Sequence, residues 1–134
     1  MKKLFVIANW MQGTGLSGSD RIFIELVKRW QNQLKIFLFL SREGVEICKR
    51  HGLENLDHQI WASDKHSQRG YIRDYLYRTW VGIQKSRKTS PRAGDIVFST
   101  SDFAPDSIPA LILKLKNPEI YWIAGFFLFS PKPW

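Results

Sequence analysis

Gly13-Thr14-Gly15-Leu16-Ser17-Gly18 matches the pattern GxGxxG letter for letter, and Ser19-Asp20 and an amphipathic stretch follow it. Glycines let a backbone approach a phosphate that a side chain would hold off. A helix N-terminus just beyond them adds free N–H groups and partial positive charge. These residues are therefore a candidate phosphate cradle, and the plainer alternative is a strand-to-helix turn capped by Ser19 or Asp20. A second polar group, Ser99-Thr100-Ser101-Asp102, precedes Phe103-Ala104-Pro105-Asp106. Hydroxyls and a carboxylate gathered at a strand end are suited to lining a ligand crevice, and an acceptor side chain followed by proline is also a helix-start signal. Asp102 and Asp106, four residues apart, read more economically as a helix cap and a partner of the helix dipole than as an acid/base pair. No residue is singled out as catalytic. His51, His58 and His66 lack metal-ligand spacing, and no carboxylate or cysteine constellation completes a site, so no metal is expected.

Both groups need elements to hold them. Leu4–Asn9, Lys35–Leu40, His58–Ala62, Asp95–Ser99 and Ile120–Ala124 read as short apolar strands, unbroken rather than alternating, as parallel strands covered on both faces should be. Helical spacing marks the intervals. Ile22, Phe23, Leu26, Val27 and Trp30 recur so, as do Ile72, Tyr75, Leu76, Thr79, Trp80 and Ile83. Val45, Ile47 and Cys48 mark a shorter helix stopped near Gly52, and a fourth helix covers Ser107–Lys116. Lys85–Gly94 reads as a mobile surface loop. Strand and helix alternate, which predicts an α/β fold, a Rossmann-like parallel sheet of about five strands in the order 3-2-1-4-5 with helices on both faces. In that order strands 1 and 4 are neighbours with crossovers on opposite faces, so the glycine loop and the Ser99–Asp102 turn should share one crevice.

The chain has 134 residues, room for one domain with one core. Its single cysteine, Cys48, excludes an internal disulfide, which suits the cytoplasm. No run reaches the length of a transmembrane helix, so the expectation is a soluble or membrane-peripheral protein. The charge is concentrated. Of the overall +8, the stretch from Lys65 to Arg92 carries +7, with eight basic residues and one acid. Its predicted helix, Arg69–Lys88, sets Arg69, Arg73, Arg78 and Lys85 around an apolar stripe with Trp80 and tyrosines nearby. Such a helix could lie on an anionic membrane surface at the inner face of the membrane or act as a generic cation toward nucleic acid; the alternative is a solvated outer helix.

Four blocks taken in order are similar to the N-terminal half of a GT-B glycosyltransferase of the family 4, or group 1, type: MKKLFVIAN, GTGLSGSDRIFIELVKRW, GDIVFSTSDFAPDSIPALILK and YWIAGFFLFSPKPW. The resemblance spans residues 1–134 and implies the N-terminal, acceptor-side Rossmann-like domain of a hexosyltransferase. It further implies a nucleotide-sugar donor, no bound cofactor or metal, and a saccharide or lipid-linked acceptor. Gly13, Gly15 and Gly18 match the family's loop near the donor diphosphate, and Ser101 and Asp102 match a turn in the same cleft. Where many relatives have a histidine after the fifth strand, this chain reads Ala124-Gly125-Phe126. Donor binding would require a C-terminal GT-B domain, and the apolar run that stops at Trp134 suggests a piece of a longer protein. Two other classes fit part of the sequence. An NADP-binding oxidoreductase domain would explain the glycines, with Arg42 meeting a 2′-phosphate, although Trp10-Met11-Gln12 intervene where that fingerprint normally begins. A non-enzymatic basic membrane or nucleic-acid binding module would explain the charge alone.

Overall fold

The computed structural model describes residues 2–11, 18–62 and 70–125. Among them the chain alternates strand and helix: β1 (Lys3–Ala8), α1 (Gly18–Trp30), β2 (Lys35–Ser41), α2 (Arg42–Arg50), β3 (Asp57–Ala62), α3 (Tyr71–Lys88), β4 (Ile96–Ser99), α4 (Ala104–Lys116) and β5 (Tyr121–Ala124). The five strands pair in parallel in the order β3-β2-β1-β4-β5, a Rossmann-like α/β sheet. The predicted class and strand order are the observed ones.

β1 lies at the centre because its side chains are apolar on both faces. Leu4, Val6 and Ala8 enter one cluster with Phe23, Ile24 and Val27 of α1 and Val45, Ile47 and Cys48 of α2. Phe5 and Ile7 enter the other, under Val81 of α3 and Ala110 and Leu113 of α4. The period-two alternation of a strand thus feeds two cores. Burial pushes the Cys48 thiol up to about 12, with Asp20 adding in the same direction, so Cys48 is an inert core side chain. Ser41 starts α2, its Oγ accepting from the Gly44 amide at 3.1 Å. The helix ends at His51, followed by Gly52 at φ 86°, where a Cβ would be strained.

Three local expectations change. Lys85–Lys88 belongs to α3 rather than to a loop. The segment after it is pinned: Lys116 Nζ donates to the carbonyls of Ser86, Arg87 and Thr89, and Asn117 Nδ2 donates to that of Pro91. The fourth helix begins at Ala104, and Asp102 does not cap it; Phe103 occupies the cap position with no side-chain hydrogen bond. Finally, the apolar stripe that announces α3 in the sequence is not its buried face. Ile72, Leu76 and Trp80 are exposed, whereas Asp74, Arg78, Gly82 and Ser86 are buried. A helix can turn its polar side inward only if those groups find partners.

Candidate functional site

β1 and β4 pair from Leu4↔Ile96 to Ile7↔Ser99 and leave the sheet at the same edge. Beyond β1 come Asn9, Trp10 and Met11, and beyond β4 come Thr100, Ser101 and Asp102. Asp106, in the first turn of α4, joins the two exits. Its Oδ1 accepts from the Trp10 amide at 3.0 Å, and its Oδ2 accepts from the hydroxyls of Ser101 and, at 3.4 Å, Thr100. Burial pushes this carboxyl from its ordinary 3.8 to about 7. The Ser101 hydroxyl and the Trp10 and Asn9 amides pull it down, and Asp20 of α1 raises it. Desolvation outweighs the hydrogen bonds because Asp106 is only 2% exposed. Such a carboxyl cannot reach a ligand directly, so its role is to position the two turns.

A second knot lies at the exit of β1. The Arg78 side chain, 2% exposed, donates Nη1 to the carbonyls of Asn9 (3.2 Å) and Met11 (2.8 Å), Nε to Asp74 (3.1 Å) and Nη2 to Glu43 of α2 (2.6 Å). The guanidinium lies 5.4 Å from the Trp10 ring centroid. Only a planar, five-donor group can serve four acceptors from three elements at once. Asn9 returns a bond, Nδ2 donating to the Arg78 carbonyl at 2.8 Å, and Ser41 Oγ donates to the Met11 carbonyl at 2.8 Å. The chain is therefore fixed as far as Met11.

The rim is aromatic. Trp10 meets Tyr71 and Tyr75 edge-on, with centroids 5.5 and 5.0 Å apart, and Phe103 at 6.0 Å. The Tyr75 hydroxyl accepts from the Ala104 amide, tying α3 to the start of α4. Below the rim, Asn9 Oδ1 is buried with no hydrogen-bond partner among the described residues.

The predicted site residues distribute unevenly over this geometry. Gly13, Thr14, Gly15, Leu16 and Ser17 lie outside the described residues, as does Arg69. Gly18 is exposed and opens α1, and nothing lies within 4 Å of where its Cβ would be. Ser99 is at the strand end but serves the sheet, its Oγ accepting from Trp122 Nε1 at 2.9 Å. Thr100 and Ser101 are buried and turned toward Asp106, so of the predicted turn only Asp102 is half exposed. Arg78 is not a surface cation: its charge is neutralised inside the fold, which corrects its assignment to a membrane-contacting face. Arg73 and Trp80 remain outward, and Lys85 is half buried.

Sequence reasoning gave Asn9 and Trp10 no role in the site and gave Arg78 and Asp106 different ones, a surface cation and a partner of the helix dipole. One signal was present: the only acid in the +7 stretch, Asp74, stands four residues before Arg78, the helical spacing of an ion pair. No helix among the described residues is long and apolar enough to cross a membrane. No protein-family model, curated protein or solved structure matches the chain.

Proposed function

We propose that this chain is the acceptor-side half of a two-domain glycosyltransferase, which moves a hexose from a nucleotide-sugar to a saccharide or lipid-linked acceptor. One observation supports the reading. The strand leading into GxGxxG and the strand leading into Ser99–Asp102 are adjacent and parallel, so their carboxyl ends lie side by side at one edge of the sheet. Open α/β sheets bind ligands at this place, outside the carboxyl ends of strands whose crossovers diverge. The surroundings suit a sugar: an aromatic rim from Trp10, Tyr71 and Phe103 beside a few fixed polar groups is how pockets for small molecules are commonly lined.

Transfer requires the departing diphosphate to be stabilised while the acceptor oxygen is held against the anomeric carbon; positioning and charge stabilisation supply most of the rate. In this reading the glycine loop approaches the diphosphate, and the Asp106 and Arg78 knots hold its leading strand rigid. In this reading residues 1–134 supply the acceptor-side half of the machinery. Residues 1–134 alone should therefore transfer no sugar from any nucleotide donor, measured by release of free nucleotide diphosphate and by product mass. Joined in one polypeptide to a matching C-terminal domain, they should gain activity and lose most of it on Gly15→Val, whose side chain fills the space reserved for the diphosphate. Turnover by the isolated chain, or indifference of the joined protein to Gly15→Val, would sink the reading. Micromolar NADP binding abolished by Gly15→Val would favour an oxidoreductase domain instead.

A further inference from the structure

The outward face of α3 is built against the ordinary rule for an outer helix. Ile72, Leu76 and Trp80 follow one another at four-residue intervals, so they form one continuous stripe. Their exposures are 71, 62 and 59%. Single exposed apolar residues need no explanation, but three large ones in a row on an otherwise well-packed helix do. The buried face shows that the arrangement is not a misturned helix: Asp74 and Arg78 are paired inside, and Gly82 packs directly against Pro109.

The exposed charges of α3 are of one sign. Arg73, Arg87 and Lys88 are exposed on α3 and Lys85 is half buried, while the helix's single acid, Asp74, is consumed by Arg78 on the opposite face. Once that internal pair is subtracted, the accessible part of α3 carries cations and no acid. Apolar side chains flanked by Arg and Lys match an anionic lipid surface, where the aliphatic groups enter the headgroup boundary and the cations meet phosphates. The alternatives fit less well. Ile72 and Leu76 offer no plane for base stacking, which disfavours a nucleic acid. Two copies meeting through this face would bring like charges together.

We propose that the outer face of α3 is a peripheral contact for an anionic membrane, with Ile72, Leu76 and Trp80 entering the interface and Arg73, Arg87 and Lys88 holding the headgroups. This goes beyond the transferase reading and does not depend on it.

Vesicle flotation of the full chain tests it, using phosphatidylcholine alone and phosphatidylcholine mixed with phosphatidylglycerol. Expected are binding to the mixed vesicles only and weakening at raised salt. The pair Ile72→Ser with Leu76→Ser should bind roughly tenfold more weakly or worse. Arg73→Gln and Arg87→Gln should each weaken binding about fivefold. Ile60→Ser, removing an exposed apolar residue on β3, should change nothing. All these sites are exposed, so circular dichroism melts should stay close to the parent; if the serine pair nevertheless unfolds, the arginine variants and the salt series decide alone. No flotation with anionic vesicles, equal flotation with neutral ones, or unchanged binding by the arginine variants overturns the proposal. So does undiminished binding by a folded serine pair, or a concentration-dependent dimer abolished by those same changes.

Discussion

Asp106 shows how one side chain can hold a site without entering it. Its carboxyl titrates near 7 in the folded chain and near 3.8 when the chain is unfolded, so between those values the folded state binds the extra proton. Stability from this group is then fully present below about pH 4, declines as pH rises toward 7 and is level above, a span on the order of a few kcal/mol. Asp106→Asn keeps the shape: its oxygen still accepts from the Trp10 amide, and its nitrogen donates to the hydroxyl oxygens of Ser101 and Thr100. This variant should unfold at higher urea than the parent at pH 8 and lack the decline between pH 4 and 7; a parent whose urea midpoint is flat across that window would refute the assignment. In the sequence Asp106 looked like an ordinary acid in a first helical turn. Its partners Trp10 and Ser101 are respectively 96 and 5 positions away, and only folding brings the distant one to it.

At the level of elements, the packing of α3 on α4 depends on a missing side chain. A Cβ on Gly82 would stand 2.5 Å from Pro109 Cγ, a ring atom that cannot rotate aside. Gly82→Ala would gain up to about 1 kcal/mol of helix propensity but incur overpacking of about 1–3 kcal/mol. The expected result is a lower urea midpoint, lower still for Gly82→Leu, and a stabilised Gly82→Ala would show that the helices separate freely. The strands and their order were legible in the sequence because unbroken apolar runs mark buried parallel strands and right-handed crossovers leave few arrangements. The orientation of α3 was not legible. Periodicity locates an apolar stripe but does not say whether it is buried, and here the polar side is inside because Arg78 finds Glu43, 35 positions earlier, and the carbonyls of Asn9 and Met11. The glycine motif and the Ser99–Asp102 turn were legible as types, whereas the hydroxyls of that turn proved to be engaged with Asp106 and β5.

For the molecule as a whole, the basic residues of α3 and α4 divide into two populations. Lys114 and Lys116 are engaged with backbone carbonyls and Arg78 is interred, while Arg73, Arg87 and Lys88 stay on one helix face. The Arg78 knot has a further consequence in time. One guanidinium bonds the exit of β1, the beginning of α2 and the second turn of α3, so opening any one of them costs the buried Arg78 a charge-assisted hydrogen bond, a loss of roughly 1.5–3 kcal/mol. Their backbone amides should exchange with solvent deuterium as one cooperative unit, with a shared opening free energy, although they are remote in sequence. Arg78→Met should split that unit, so that the α2 amides exchange ahead of those in α3. Separate exchange rates already present in the parent would mean that the knot is a contact and not a clasp.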